Sequence, residues 1–144
     1  MTPPLLKTVS QAFEEAWSRE TCDPVDLDDW SPANPSRGQC GSTALVLHDI
    51  FGGELLIAEV HHLDGTLQGY HYWNRLPDGE EVDLTRMQFT DDEVVETPRT
   101  LIRPTGQPRR CVEQYILLRD RVLEALQLGG ARSSCVRVAV ADRC

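Results

Sequence analysis

A chain of 144 residues is the size of one ordinary domain, and 40% hydrophobic with 26% charged residues is the composition of a packed globular protein. A net charge of -9 argues against general nucleic-acid binding, since phosphate affinity rests on accumulated Lys and Arg, and no apolar run approaches the ~18 residues that cross a bilayer. The charge is uneven: residues 1–98 hold nineteen acidic and five basic side chains, residues 99–144 four and nine, so contact between the two parts is expected, with a basic binding surface as the sharper alternative.

The start, Met1 to Lys7, lacks the basic head, long apolar segment and small-residue cleavage site of a secretory signal, which makes a cytoplasmic location the expectation. From Leu5 to about Arg19 the apolar positions Leu5, Val9, Phe13 and Trp17 recur every four residues and predict an amphipathic helix. Thr21 to Gln39 has three prolines, four aspartates and Trp30 with little periodicity, and reads as an ordered loop. The next helix is expected from Gln39 or Cys40 to Phe51, with Cys40, Ala44, Leu47 and Phe51 along one face and Gly52-Gly53 as its stop. Leu55 to Val60 predicts a buried strand and Asp64-Gly65 a turn; two more strands follow, Gln68 to Leu76 and Glu80 to Thr85.

Residues 86–110 are polar, contain three prolines and read as loop. A C-terminal helix is expected from about Arg110 to Leu128, presenting Tyr115, Leu118, Val122 and Leu126 on one face and closed by Gly129-Gly130. Residues 1–128 are thus read as a single domain and 129–144 as a C-terminal extension, in which Val136, Val138 and Val140 alternate as in a short edge strand, while Ser133-Ser134 and the terminal position fit a loose extension.

Cys40, His71 and Asp83 carry the chemistry. A cysteine opening a helix is expected to have its pKa lowered by the helix N-terminus; a strand-borne imidazole takes its proton, and a carboxylate holds that imidazole. Strand alternation makes the hairpin loop the test of this set. A two-residue Asp78-Gly79 loop would point Asp83 away from His71. A three-residue Pro77-Asp78-Gly79 loop pairs Asp83 with Trp73 and leaves it diagonal to His71. Pro77 suits the first central position of a type I turn and Gly79 the left-handed position after it, so the turn chemistry favours three.

Each residue has a plainer reading: a buried thiol, a satisfied strand histidine, a surface carboxylate. Their order and spacing together favour catalysis. His48 lies eight residues along the same helix, roughly 12 Å from Cys40, and is too distant. His61 and His62 have no comparably placed acid. Trp73 shares the face of His71 and would shield the ion pair. Asn34, Gln39 or the backbone N–H groups of Cys40 and Gly41 would stabilise an oxyanion, and Trp30 and Arg37 would line the mouth. The five cysteines, Cys22, Cys40, Cys111, Cys135 and Cys144, show no C-x-x-C pair, and H-E-x-x-H is absent, so neither a metal nor a cofactor is expected and a dithiol redox couple is disfavoured.

The segments Cys40, His71-Tyr72-Trp73 and Asp83-Leu84-Thr85 resemble the transglutaminase-like branch of the papain-like cysteine enzymes, with a compressed spacing. A closer resemblance is to the YunG-like family of small bacterial proteins. It is carried by Trp30-Ser31-Pro32, by Asn34 through Cys40 into Asp49-Ile50-Phe51-Gly52-Gly53, by His71 to Leu76, and by Asp83-Leu84-Thr85-Arg86 through Phe89, and covers roughly residues 10–128. The resemblance implies an α+β fold with a papain-like core: a catalytic helix packed on a small antiparallel sheet, flanked by N- and C-terminal helices. The function expected is thiol-dependent acyl chemistry, hydrolysis or transfer, on a small-molecule or peptide substrate with an amide or ester carbonyl. The alternative is a peptide- or metabolite-binding module that keeps the fold without turnover. No nucleic-acid or membrane partner is expected.

Overall fold

The structure, a computed structural model, describes residues 3–129. Helix α2 (Cys40–Phe51) packs on a five-stranded antiparallel sheet, and α3 (Val112–Gly129) packs against both α2 and α1 (Pro3–Ala16); the strands are β1 (Glu54–His62), β2 (Leu67–Arg75), β3 (Glu81–Val82), β4 (Glu93–Val95) and β5 (Arg99–Leu101). The fold is α+β. The strand order is β3-β2-β1-β4, and β5 also pairs with β1. No helix among the described residues is long and apolar enough to cross a membrane.

The four-residue stripe of α1 buries Val9, Phe13 and Trp17, whereas Leu5, one turn from the end, is 48% exposed. The helix stops before Arg19 because Ser18 caps a following 3₁₀ turn. Its hydroxyl accepts from the Glu20 N–H, and Thr21 Oγ1 accepts from the Ser18 N–H. Phe13, Trp17, Val46, Leu47, Leu118 and Val122 form one apolar core between the three helices, and Leu76 and Val82 extend it onto the hairpin. The Trp17 indole N–H donates to Thr43 Oγ1 at 3.0 Å and fixes α1 against α2.

β1 and β2 pair in register from Glu54↔Arg75 to Val60↔Gly69. The β2–β3 register, Asn74↔Val82 and Arg75↔Glu81, is closed by Leu76 N–H to Glu80 O at 2.8 Å, so the loop is the three residues Pro77-Asp78-Gly79, with Gly79 at φ 92°. Asp83 therefore stands opposite Trp73, immediately after a strand shorter than the expected Glu80 to Thr85.

The segment read as loop, 86–110, contains a 3₁₀ turn at Arg86–Gln88 and the two short strands β4 and β5. Three residues are too few to show periodicity, and both strands form only by pairing with β1, some 30 to 45 residues away. The valine alternation at 136–140 lies outside the described residues. The charge asymmetry is met by contact: Arg103 pairs with Asp49, Arg110 with Asp23 and Arg121 with Glu20.

Candidate active site

α2 starts at Cys40 without a side-chain cap, its first backbone bond running from the Thr43 N–H to Gln39 O. By position, the N–H groups of Cys40, Gly41 and Ser42 have no partner within the helix. The Cys40 sulfur lies beside β2, where the backbone N–H groups of Tyr72 and Gly41 favour its thiolate form. Asn74 holds helix and strand together: its buried Nδ2 donates to Ala44 O at 3.0 Å.

His71 and Trp73 share a face of the sheet with their partners Ala58 and Leu56. The imidazole is fully buried, stacked on Trp73 at 5.3 Å and met edge-on by Phe89 at 4.8 Å. His71 Nε2 is 2.7 Å from Asp83 Oδ2. Asp83 also accepts from Arg86 Nε at 2.6 Å and from the Thr85 N–H at 3.2 Å. Burial raises the Asp83 pKa, but the hydrogen bond and charge of His71, followed by those of Arg86, outweigh it and hold the carboxyl below its ordinary value. The structure thus joins His71 to Asp83. It forms no hydrogen bond between the imidazole and Cys40: His71 Nδ1 is buried with no hydrogen-bond partner among the described residues.

The Cys40 pKa runs opposite to the expectation from its helix. Protein packed closely around this partly buried residue pushes the thiol up to about 12, and the Asp26 and Asp83 carboxylates add to this against the two N–H donors. Desolvation outweighs the fractional charge of a helix end. Burial raises Cys22 likewise to about 12 and also raises Cys111.

Cys40 opens onto a cleft of about 770 Å³ walled by the loop before α2, by Gln68, Tyr70 and Tyr72 of β2, and by the segment from Leu101 to Cys111. Of the five residues expected to serve oxyanion or substrate, only Arg37 lines this cleft. It is buried, not solvated, and is held by Glu93 at 3.0 Å, Asp26 at 3.4 Å and Asp29 at 3.7 Å. Asn34 Nδ2 donates to Gln88 O and buried Gln39 Nε2 to Ser18 O, both at 3.0 Å; the Trp30 indole N–H donates to Pro35 O. These three tie the loop down, and Trp73 packs on His71.

His48 Nδ1 meets Arg103, and His61 lies between Glu59 and Glu96, so neither belongs to the Asp83 pair. Arg86, Phe89 and Tyr72 were missed by sequence reasoning. The i, i+3 spacing of Asp83 and Arg86 was a readable signal; the approach of Phe89 and Tyr72 was not.

A family model described as YunG protein matches residues 5–127. The chain belongs to the YunG family. One YunG relative, "Uncharacterized protein YunG" of Bacillus subtilis (strain 168), is 32% identical over 84 residues, which is 58% of this chain. The chain spans 63% of that relative's length. No solved structure matches this YunG-family chain.

Proposed function

We propose that this protein carries out thiol-dependent acyl chemistry, with Cys40 as nucleophile, His71 as proton shuttle and Asp83 as the group orienting His71, on a papain-like or transglutaminase-like core. One observation carries the reading. Asp83 binds Nε2 at 2.7 Å and so directs Nδ1, buried and without a hydrogen-bond partner among the described residues, to serve as the base.

Because the thiol rests protonated, activation is concerted. The S–H proton passes to His71 Nδ1 as the sulfur attacks the carbonyl carbon, and Asp83 stabilises the imidazolium. As the carbon–leaving-group bond breaks, His71 returns the proton to the departing amine or alkoxide. Water, or an acceptor amine, then resolves the thioester by the same shuttle. The backbone N–H groups at the start of α2 stand beside the sulfur as donors to the developing oxyanion. Arg86 caps Asp83 and lies 4.9 Å over the Trp73 ring, screening the pair from water.

The test is p-nitrophenyl acetate with mass spectrometry of the intact protein. Acetyl transfer to Cys40 that disappears in His71→Gln is the expected result; acetylation elsewhere, or equal rates in both proteins, overturns the reading. A thiol pushed up to about 12 favours a second reading, a binding module without turnover that uses the same cleft. That reading expects folded Cys40→Ser to retain the biological effect, and its loss counts against it.

A further inference from the structure

The two sides of the cleft differ in chemistry, and the sulfur lies between them. Cys40 packs at Tyr72, whose partner on β1 is Ile57. Leu55 is two residues from Ile57, roughly 7 Å at ~3.3 Å per residue; His62, partner of Glu93, is five residues away in the other direction, roughly 17 Å. The other side is charged, running from Asp26, close enough to raise the Cys40 pKa, through Arg37 to Glu93 and Asp29.

The side nearer Leu55 is apolar. α2 lends the cleft Cys40, Gly41, Ser42, Ala44 and Leu45; Ser42 is buried, and Ala44 and Leu45 lie about 6 Å along the axis from the nucleophile. Leu55 and its cross-strand partner Leu101 close the back, and Ile102, 87% exposed, stands on the rim. Arg103 also borders this side, but its guanidinium is engaged by Asp49 at 2.8 Å, Leu45 O at 3.3 Å and the Tyr115 hydroxyl at 3.2 Å. Space is left open over Gly41, where an added Cβ would meet only Tyr72 Cδ2 at 4.0 Å.

We propose that this apolar side is the acyl-side subsite, binding an apolar side chain of about leucine size next to the carbonyl that Cys40 attacks, in a substrate of the N-acyl amino acid amide or ester class. The leaving group then points toward the charged side, because an apolar group placed there would desolvate Arg37 and its carboxylates without replacing their partners. The subsite rests on the catalytic reading of Cys40 above.

The experiment compares Cys40 acylation of the full chain by p-nitrophenyl esters of N-acetyl-leucine, N-acetyl-glycine and N-acetyl-lysine, each divided by its hydrolysis rate in buffer. The leucyl ester is expected to react about tenfold to a hundredfold faster than either other ester, and Gly41→Leu or Leu45→Gln should bring the leucyl-to-glycyl ratio toward one. Equal rates, a lysyl preference, or a ratio unmoved by both variants overturns the subsite while leaving the catalytic reading in place. If no ester acylates Cys40, the catalytic reading fails, and the pocket is judged in Cys40→Ala by NMR. There N-acetyl-leucinamide must shift the methyl resonances of Leu45, Leu55 and Leu101 where N-acetyl-glycinamide does not; equal shifts, or none, overturn it.

Discussion

The helical side of the molecule and its cleft side are held by different forces. Between α1, α2 and α3 the contacts are apolar, made by Val9, Phe13, Leu47, Leu118 and Val122 at the periods the helices dictate. Around the cleft they are polar and long-range: Arg37 joins Glu93 across 56 positions, Asn34 reaches Gln88 across 54, and Arg110 reaches Asp23 across 87. An apolar core tolerates exchange of one hydrocarbon for another of similar volume. A wired loop does not, because removing one partner strands the other away from water. The proposed catalytic set straddles this seam, with Cys40 on a helix of the apolar core and its sulfur facing the cleft.

The largest effects should separate chemistry from stability. Cys40→Ala is expected to abolish acyl transfer, and His71→Gln to lower it ~10²–10⁴-fold, with unchanged helical circular dichroism. The reverse is expected of Phe13→Ala: a loss of about 3–5 kcal/mol by urea denaturation and no change in the rate of the remaining folded protein. Arg37→Met should cost a similar ~3–5 kcal/mol, because buried Glu93 loses its counter-ion. Adding Glu93→Gln should restore part of that, whereas no neutralising change rescues Phe13→Ala; a double-mutant cycle measures the difference.

At the seam, Asn74→Ala should cost about 0.5–1.5 kcal/mol by removing the second hydrogen bond to Ala44 O, which keeps its own helical partner, and should lower kcat more than it raises KM, since helix and strand lose their link. The smallest effect is in pH. Asp83 and Glu93 both have folded pKa values below the ordinary 3.8 and 4.5. Their stabilisation is complete above those ordinary values and is lost as pH falls through the lower folded ones. Asp83→Asn and Glu93→Gln should each flatten the acid limb of a stability curve; Phe13→Ala should lower the whole curve without changing its slope. The raised Cys22 and Cys40 work at the other extreme, where stability present below pH 9 is lost as pH rises toward 12.

Where residues act on their neighbours in sequence, the chain determined its own structure. The bounds Cys40–Phe51 follow from an apolar run stopped by Gly52-Gly53, and Gly53, at φ 84°, admits no Cβ, which would fall 2.3 Å from Arg75 O. The turn residues Pro77-Asp78-Gly79 determined the register, and with it the placing of Asp83 opposite Trp73, in reach of His71. Only the tertiary structure decided what depended on distant partners. β4 and β5 exist by pairing with β1, Arg37 became the buried centre of an ion network, and Asn34, Gln39 and Trp30 turned inward to tie their loop. The Cys40 pKa belongs with these. A helix start is legible in a run of residues and argues for a lowered value. Burial is the sum of everything the fold packs around one sulfur, and it raises the value instead.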